Sequence, residues 1–243
     1  MKKGFRPYVY GAGLFQAGLL GACGQAAAPV REPAQNAFAT RPAAPAPAAP
    51  KAVQGDERLV LAFGDSLYAG YRLRPGESLP ANIERRLRDR GINARVVNAG
   101  VSGDTTAGGR ARLRFTRDRL PRKPDLVVLG LGGNDLLRLV PVAETRANLR
   151  AMMDELKSRG IPVVLTGMMA PPNLGPGFAG DFNALYPELA KDYGAGLDPF
   201  ILAGVIGDRR YMLPDGVHPN AQGVERMADR IAPLVAQRLE IAA

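Results

Sequence analysis

Residues 59–71 read LVLAFGDSLYAGY, and they decide the fold. Residues 59–63 form an unbroken apolar run, the pattern of a strand buried on both faces. The run stops at Gly64-Asp65-Ser66, so a serine hydroxyl stands just past the carboxyl end of a sheet strand. In open α/β sheets that rim is where ligands bind. The arrangement recurs twice. Residues 94–97 lead into NAGVSGDTT at 98–106, and residues 126–130 lead into LGGND at 131–135. Three strands thereby deliver Ser66, Gly103 and Asn134 to one edge. The chain's only histidine, His218, follows in DGVHPN, three residues after Asp215.

The segments between these blocks carry helical periodicity. Ser78 caps a helix with Leu79, Ile83 and Leu87 on one face, ending at Gly91. Thr105 or Thr106 opens a second, running through Leu113 and Leu120 and closed by Pro121, with a first turn weakened by Gly108-Gly109. Val142, Leu149, Met152, Met153 and Leu156 define a third, stopped at Gly160. Residues 161–166 read as the next buried strand. Residues 168–178, MMAPPNLGPGF, read as a loop by their Pro and Gly content. Asp181 then opens a helix to Tyr193, and a last strand is expected near 197–202. Val224, Met227, Ile231, Val235 and Leu239 mark the final helix, with Pro233 as a point where it would kink. Five strands alternating with helices predict an α/β fold, a three-layer α/β/α sandwich on a mostly parallel sheet.

The chain has four serines: Ser66, Ser78, Ser102 and Ser158. Ser78 reads as a cap, Ser158 sits at a helix end, and Ser102 lies in a turn. Ser66 alone follows a buried strand. A serine hydroxyl is a poor nucleophile at neutral pH unless a base takes its proton, and His218 is the only histidine available. Asp215 stands where it would orient the imidazole, a carboxylate reaching one ring nitrogen while the other faces the serine. Asp65, Asp104 and Asp135 have a simpler reading as turn and bracing residues.

These four blocks, in this order and spacing, resemble the SGNH (GDSL) hydrolase family, nearest to its thioesterase I, lysophospholipase and arylesterase branch. The match spans about residues 59–239. It implies a flavodoxin-like sandwich and a serine esterase or thioesterase that needs no cofactor and works through an acyl-enzyme on Ser66. It further implies an oxyanion hole built from the Ser66 amide, the Gly103 amide and the Asn134 side chain. Gly100 is the nearby alternative for the glycine. The loop 168–178 corresponds to the family's acyl-pocket border, making Met168, Met169, Pro171 and Leu174 the expected pocket. A carbohydrate O-acetylesterase, or a non-catalytic envelope lipoprotein on the same fold, is the alternative.

The front of the chain has a different character. Lys2, Lys3 and Arg6 precede a mostly apolar stretch at 8–22 that is too short for a membrane span and fits a secretory signal. It ends LLGACG, with the chain's only cysteine, Cys23, placed as in a bacterial lipobox. An ordinary signal peptide cut near 26–28 is the competing reading. Ala and Pro dominate from 27 to about 53, the composition of an extended tether. The expected organisation is therefore a signal peptide at 1–22, a tether at 23–56 and one hydrolase domain at 57–243. That domain is exported to the bacterial envelope and lipid-anchored through Cys23.

One cysteine allows no internal disulfide, and one histidine with one cysteine excludes an ordinary zinc site. The glycine clusters lack the dinucleotide and phosphate-loop patterns, and the G-x-S-x-G elbow is absent. The net charge is +9, with twelve basic residues between 84 and 123. No nucleic-acid motif accompanies them. They read as solvated helix faces, or as attraction to anionic lipid headgroups. The expected partners are a small-molecule or lipid ester and a membrane through the anchor, with no nucleic acid, and the chain is expected to be a monomer.

Overall fold

The structure is a computed structural model and describes residues 52–241. The expected signal peptide, Cys23 and nearly all of the tether lie outside the described residues. The elements run β1 (Arg58–Gly64), α1 (Ser66–Ala69), α2 (Leu79–Asp89), β2 (Ala94–Gly100), α3 (Thr106–Asp118), β3 (Leu126–Gly130) and α4 (Gly133–Leu137). They continue with α5 (Val142–Ser158), β4 (Val163–Thr166), α6 (Pro176–Tyr193), β5 (Gly196–Asp198) and α7 (Ala221–Ile241).

The strand order is β2-β1-β3-β4-β5, and every pairing is parallel. β1 therefore has a strand on each side, and its successive side chains point to opposite faces of the sheet, into two cores. Val60 and Ala62 join Leu79, Ile83, Leu87, Met227, Ile231 and Val235 from α2 and α7. Leu61 and Phe63 join Leu113, Leu149, Met152, Met153, Phe182 and Leu185 from α3, α5 and α6. This is the three-layer sandwich the alternating pattern predicts. The chain winds outward from β1 to β2, then crosses back to β3. β1 thus lies at the point of reversal, where loops on adjacent strands part to leave a crevice.

Several boundaries differ from expectation. Pairing in β2 continues through Asn98, Ala99 and Gly100, beyond the apolar run. β4 starts at Val163 and β5 ends at Asp198, before Pro199, which has no N–H to give a ladder. α3 ends at Asp118, two residues before Leu120. Thr105 is its cap, its hydroxyl accepting from the Gly108 amide at 3.3 Å. The predicted loop 168–178 contains a 3-10 turn at Pro172–Leu174, and α6 begins at Pro176, well before Asp181. α7 runs through Pro233 as one helix.

Candidate active site

Ser66 is the first residue of α1, with only Asp65 between it and the end of β1. The Asp65 side chain caps that helix, Oδ1 accepting from the Leu67 amide at 3.0 Å. Asp65 itself is buried under the site, and loss of solvation pushes its carboxyl up to about 6. The carbonyl of Ser66 accepts from the amides of Gly70 and Tyr71, closing α1 after a single turn.

Asp215 and His218 lie on a hairpin-like turn. An isolated antiparallel bridge joins Met212 and Pro219, and the Leu213 amide donates to the His218 carbonyl at 2.8 Å. Within the turn, Asp215 Oδ1 accepts from the amides of Val217 and His218 at 3.0 and 2.9 Å. These two backbone donors hold the carboxyl down near 2. Its other oxygen meets His218 Nδ1 at 2.9 Å, and His218 Nε2 meets Ser66 Oγ at 3.0 Å. Aspartate, imidazole and hydroxyl stand in one hydrogen-bonded line, across 152 residues of sequence between the serine and histidine.

Asn134 sits in the first turn of α4, and its Nδ2 donates to the Asp104 carbonyl at 2.9 Å. A longer contact of 3.5 Å reaches Asp65 Oδ2. Next to it, buried Asp135 accepts from the Thr106 amide at 2.8 Å and from the Thr106 hydroxyl, with Thr145 Oγ1 at 3.3 Å. This buried network fixes α4 against α3 and α5, so Asp135 does hold its neighbour in place. Asp104, in turn, pairs with Arg112 at 2.7 Å.

The two candidate glycines separate on physical grounds. Gly100 is packing space: a Cβ there would lie 2.2 Å from the Ala69 backbone nitrogen in α1. Its amide is already given to Asn98 Oδ1 at 2.9 Å. Gly103 is exposed at φ +81°, with its carbonyl held by Arg138 Nη2 at 2.9 Å. Its amide donates to no described residue.

The expected pocket residues divide. Met168 packs against both cores and lies 3.7–3.8 Å from where a Gly133 Cβ would be, beside Asn134. Leu174 is half-buried, whereas Pro171 and Met169 are exposed, Met169 by 47%. Asn183 ties this segment to α6, accepting from the Ala170 amide at 2.7 Å.

Two residues at the site escape a reading of motifs. The Tyr71 ring lies 4.4 Å from the His218 ring, centroid to centroid. Arg112 reaches Gly64 O, Ala99 O and Asp104 Oδ2 with separate nitrogens, at 2.9, 2.9 and 2.7 Å. It also covers the Phe63 ring at 3.9 Å. A separate concavity at the amino ends of β3 and β4 is lined by Arg117, Asp118, Arg122 and Arg159. Those cations are paired, Arg117 and Arg159 with Glu155 and Arg122 with Asp125, and Ser66 lies at the other end of the sheet, past the carboxyl end of β1. Among the described residues no cluster of His, Cys, Asp and Glu gathers as a metal ion would need.

A serine, a histidine and an aspartate in line at the carboxyl edge of a parallel sheet, with an asparagine and glycine loop beside them, define a serine hydrolase. The description of the GDSL-like lipase/acylhydrolase family matches residues 62–226, and the chain belongs to that family. It is 38% identical over 180 residues to Esterase TesA of Pseudomonas aeruginosa, covering 74% of this chain and 89% of that one. It is 37% identical over 188 residues to an arylesterase of Vibrio mimicus, covering 77% and 92%. Among solved structures, AlinE4, an esterase of the SGNH-hydrolase family, is 50% identical and superposes with a TM-score of 0.65, covering 76% of this chain and 97% of that one.

Proposed function

We propose that this chain hydrolyses carboxylic esters and thioesters through an acyl-enzyme on Ser66. The observation that carries the proposal is the line Asp215–His218–Ser66, with contacts of 2.9 and 3.0 Å. His218 Nε2 takes the Oγ proton as Oγ bonds to the substrate carbonyl carbon. The negative charge moves to the carbonyl oxygen, where the Ser66 and Gly103 amides and Asn134 Nδ2 receive it. Such donors cost no reorganisation at the moment of reaction. As the bond to the leaving group breaks, His218 returns the proton to the leaving oxygen or sulfur. Water then repeats the cycle on the acyl-enzyme and frees the carboxylic acid. Asp215 holds the ring in the tautomer this requires.

The acyl chain of this reading is short to medium and lies against Met168 and Leu174, with Met169 and Pro171 at the mouth. Asn173 is the one polar side chain of that loop, which favours an apolar acyl group over a hydrogen-bonded sugar acetate. The names of the esterase and arylesterase relatives support an activated ester as a good substrate. For location, the reading is a domain at 57–243 exported to the envelope and anchored by lipid on Cys23 through the tether at 23–56. The lipobox spacing supports it.

A fluorophosphonate probe tests the nucleophile: wild type is labelled and Ser66→Ala is not, and label on any other residue overturns the assignment. A p-nitrophenyl ester series from acetate to palmitate, beside acetylated xylan, tests the substrate. kcat/KM should climb with chain length until the pocket fills, by at most about 0.8 kcal/mol per buried methylene. Acetate release from xylan with no gain on lengthening would move the assignment to a carbohydrate esterase. Cys23→Ser should move the protein from the membrane to the soluble fraction; unchanged partition would leave a plain signal peptide.

A further inference from the structure

α3 turns one stripe of side chains inward and the opposite stripe to solvent. Thr106, Gly109, Leu113 and Arg117 are buried, whereas Ala107, Arg110, Ala111, Arg114, Phe115 and Asp118 are exposed. Steps of three and four residues place the exposed set on one helix face, in two rows. One row is Ala107, Ala111 and Phe115, continued just past the helix end by Arg119; the other is Arg110, Arg114 and Asp118. Phe115 is 62% exposed, the one exposed aromatic side chain among the described residues. The alanines before it on its row leave the ring standing clear, and the Arg119 guanidinium carbon lies 4.9 Å from its centre. A single exposed apolar side chain is ordinary. A ring set among guanidinium groups has no part in the core.

The arginines of this face differ from those of the neighbouring helices. On α5, Arg146 and Arg150 reach Glu188 and Asp192 of α6. On α2, Arg86 reaches Asp229 of α7 at 2.6 Å. Of the five arginines between 110 and 119, two turn inward, Arg112 to Asp104 and Arg117 to Glu155. Among the described residues Arg110 and Arg119 pair with no carboxylate; Arg110 reaches Asn148 instead, at 3.3 Å. Arg114 lies 3.7 Å from Asp118, a carboxylate already held by Arg117, and an exposed pair of that length contributes little. Arg95 adds a fourth cation. It is exposed on the edge strand β2, opposite Leu59 in register. It points to the α3 side of the sheet, as does Val97 two residues on, which packs on the core that contains Leu113.

We propose that the outer face of α3, with Arg95 beside it, docks on an anionic lipid surface. Phe115 enters the boundary between headgroups and acyl chains. Arg110, Arg114 and Arg119 lie among the phosphates around it, their aliphatic stems following the ring down. Arginine suits this role because its planar donors match phosphate oxygens. Charge complementarity favours a bilayer, whose surface is a continuous sheet of negative charge. A convex helix face with one ring offers no channel in which successive bases could stack. α3 leads from the loop after β2 back toward the start of β3, so docking on it lays the strands along the membrane. The rim that carries Ser66 then stands at the border of the contact and stays open. The proposal depends neither on ester hydrolysis nor on a lipid at Cys23.

The test uses the full chain, which contains no tryptophan, so that Phe115→Trp places a single indole at the contact. Its emission is followed as vesicles of phosphatidylglycerol or of phosphatidylcholine are titrated in, with and without brominated acyl chains. On phosphatidylglycerol the emission should shift to the blue and be quenched by bromine, and both responses should fade as salt is raised. Adding Arg110→Gln, Arg114→Gln or Arg119→Gln should each raise the lipid concentration at half-response about fivefold. The corresponding lysine variants should keep most of the response. These side chains are exposed, so the variants should unfold at the parent's urea midpoint, and the lysine variants keep the test decisive where a glutamine variant does not. Protein that floats with the vesicles while its emission stays unshifted is held by its amino-terminal segment alone, which overturns the docking surface. An equal response to phosphatidylcholine overturns it too, since the arginines would then play no part. A response to a single-stranded oligonucleotide, with none to vesicles, would make this a nucleic-acid surface and overturn the lipid assignment.

Discussion

Arg112 and Asp104 meet at 2.7 Å, and the same guanidinium holds the last carbonyl of β1 and the last but one of β2. One side chain on α3 thus ties together the strand before Ser66, the strand before Gly103, and the loop whose carbonyl holds Asn134. Its loss should be felt in both folding and rate. Arg112→Ala is expected to lower stability by about 2 kcal/mol, since it strands a half-buried carboxylate and two carbonyls. It should lower kcat more than it raises KM. Urea midpoints and steady-state rates measure the two effects, and a stability loss with kcat intact would limit Arg112 to a structural role.

Asn134→Ala should reduce kcat roughly 10²-fold with little change in KM, the signature of a donor that acts in the transition state. The side chain donates to the Asp104 carbonyl at 2.9 Å, which fixes its orientation. A change confined to KM would reassign it to substrate binding.

His218→Ala should cost several orders of magnitude in kcat and leave thermal stability nearly unchanged. Asp215→Asn should cost less. Because Asp215 reaches Ser66 only through the imidazole, adding Asp215→Asn to His218→Ala should have almost no further effect on rate. A further tenfold loss in the double variant would give Asp215 a role of its own.

Asp65 sets a stability trend with pH. Burial raises its carboxyl to about 6, against about 4 for an unfolded aspartate. Between those values the native state holds a proton that the unfolded chain has released. Stability must therefore fall as pH rises from about 4 to about 6. The full cost at neutral pH is about 3 kcal/mol for a shift of about two units. Asp65→Asn keeps an acceptor for the Leu67 amide and should remove this slope. Chemical denaturation of both proteins across pH 4–7 checks it, and parallel curves would show that the buried carboxyl is already ionised at pH 4.

Gly100→Ala should lower stability by about 2 kcal/mol through overpacking, because its Cβ meets the backbone of α1 rather than a side chain that can swing away. α1 carries Ser66, so ester turnover should fall with it. A fully stable and active Gly100→Ala would mean that α1 can shift without cost.

The fold was legible because β1 from Leu59 on and the whole of β3 are apolar, as strands covered on both faces are. The meeting of Asp215, His218 and Ser66 was legible because the chain holds one histidine and one serine after a buried strand. What escaped depends on tertiary approach. Arg112 looked like part of a solvated basic face, and nothing in helical spacing marks it as the residue beneath which two strand ends converge. Tyr71 lies inside the opening stretch, yet its partner is supplied by a turn near the other end of the chain. The start of α6 was missed because Pro176 reads as a breaker, although proline is favoured in the first turn of a helix. β2 runs on through Asn98, a residue of turn character, because its side chain satisfies the Tyr68 carbonyl and the Gly100 amide, at 3.0 and 2.9 Å.

That the chain carries a single histidine, placed between Ser66 and Asp215, makes the molecule its own spectroscopic reporter. Every imidazole resonance in a proton spectrum belongs to His218, with no assignment to be made. Its chemical shift follows the protonation of the relay directly. The Tyr71 ring, 4.4 Å away, will add a ring-current displacement that vanishes if the aromatic side chain swings out. Acylation of Ser66, binding beside Tyr71 and titration of the base can then be watched on one signal, in solution, without a chromogenic substrate.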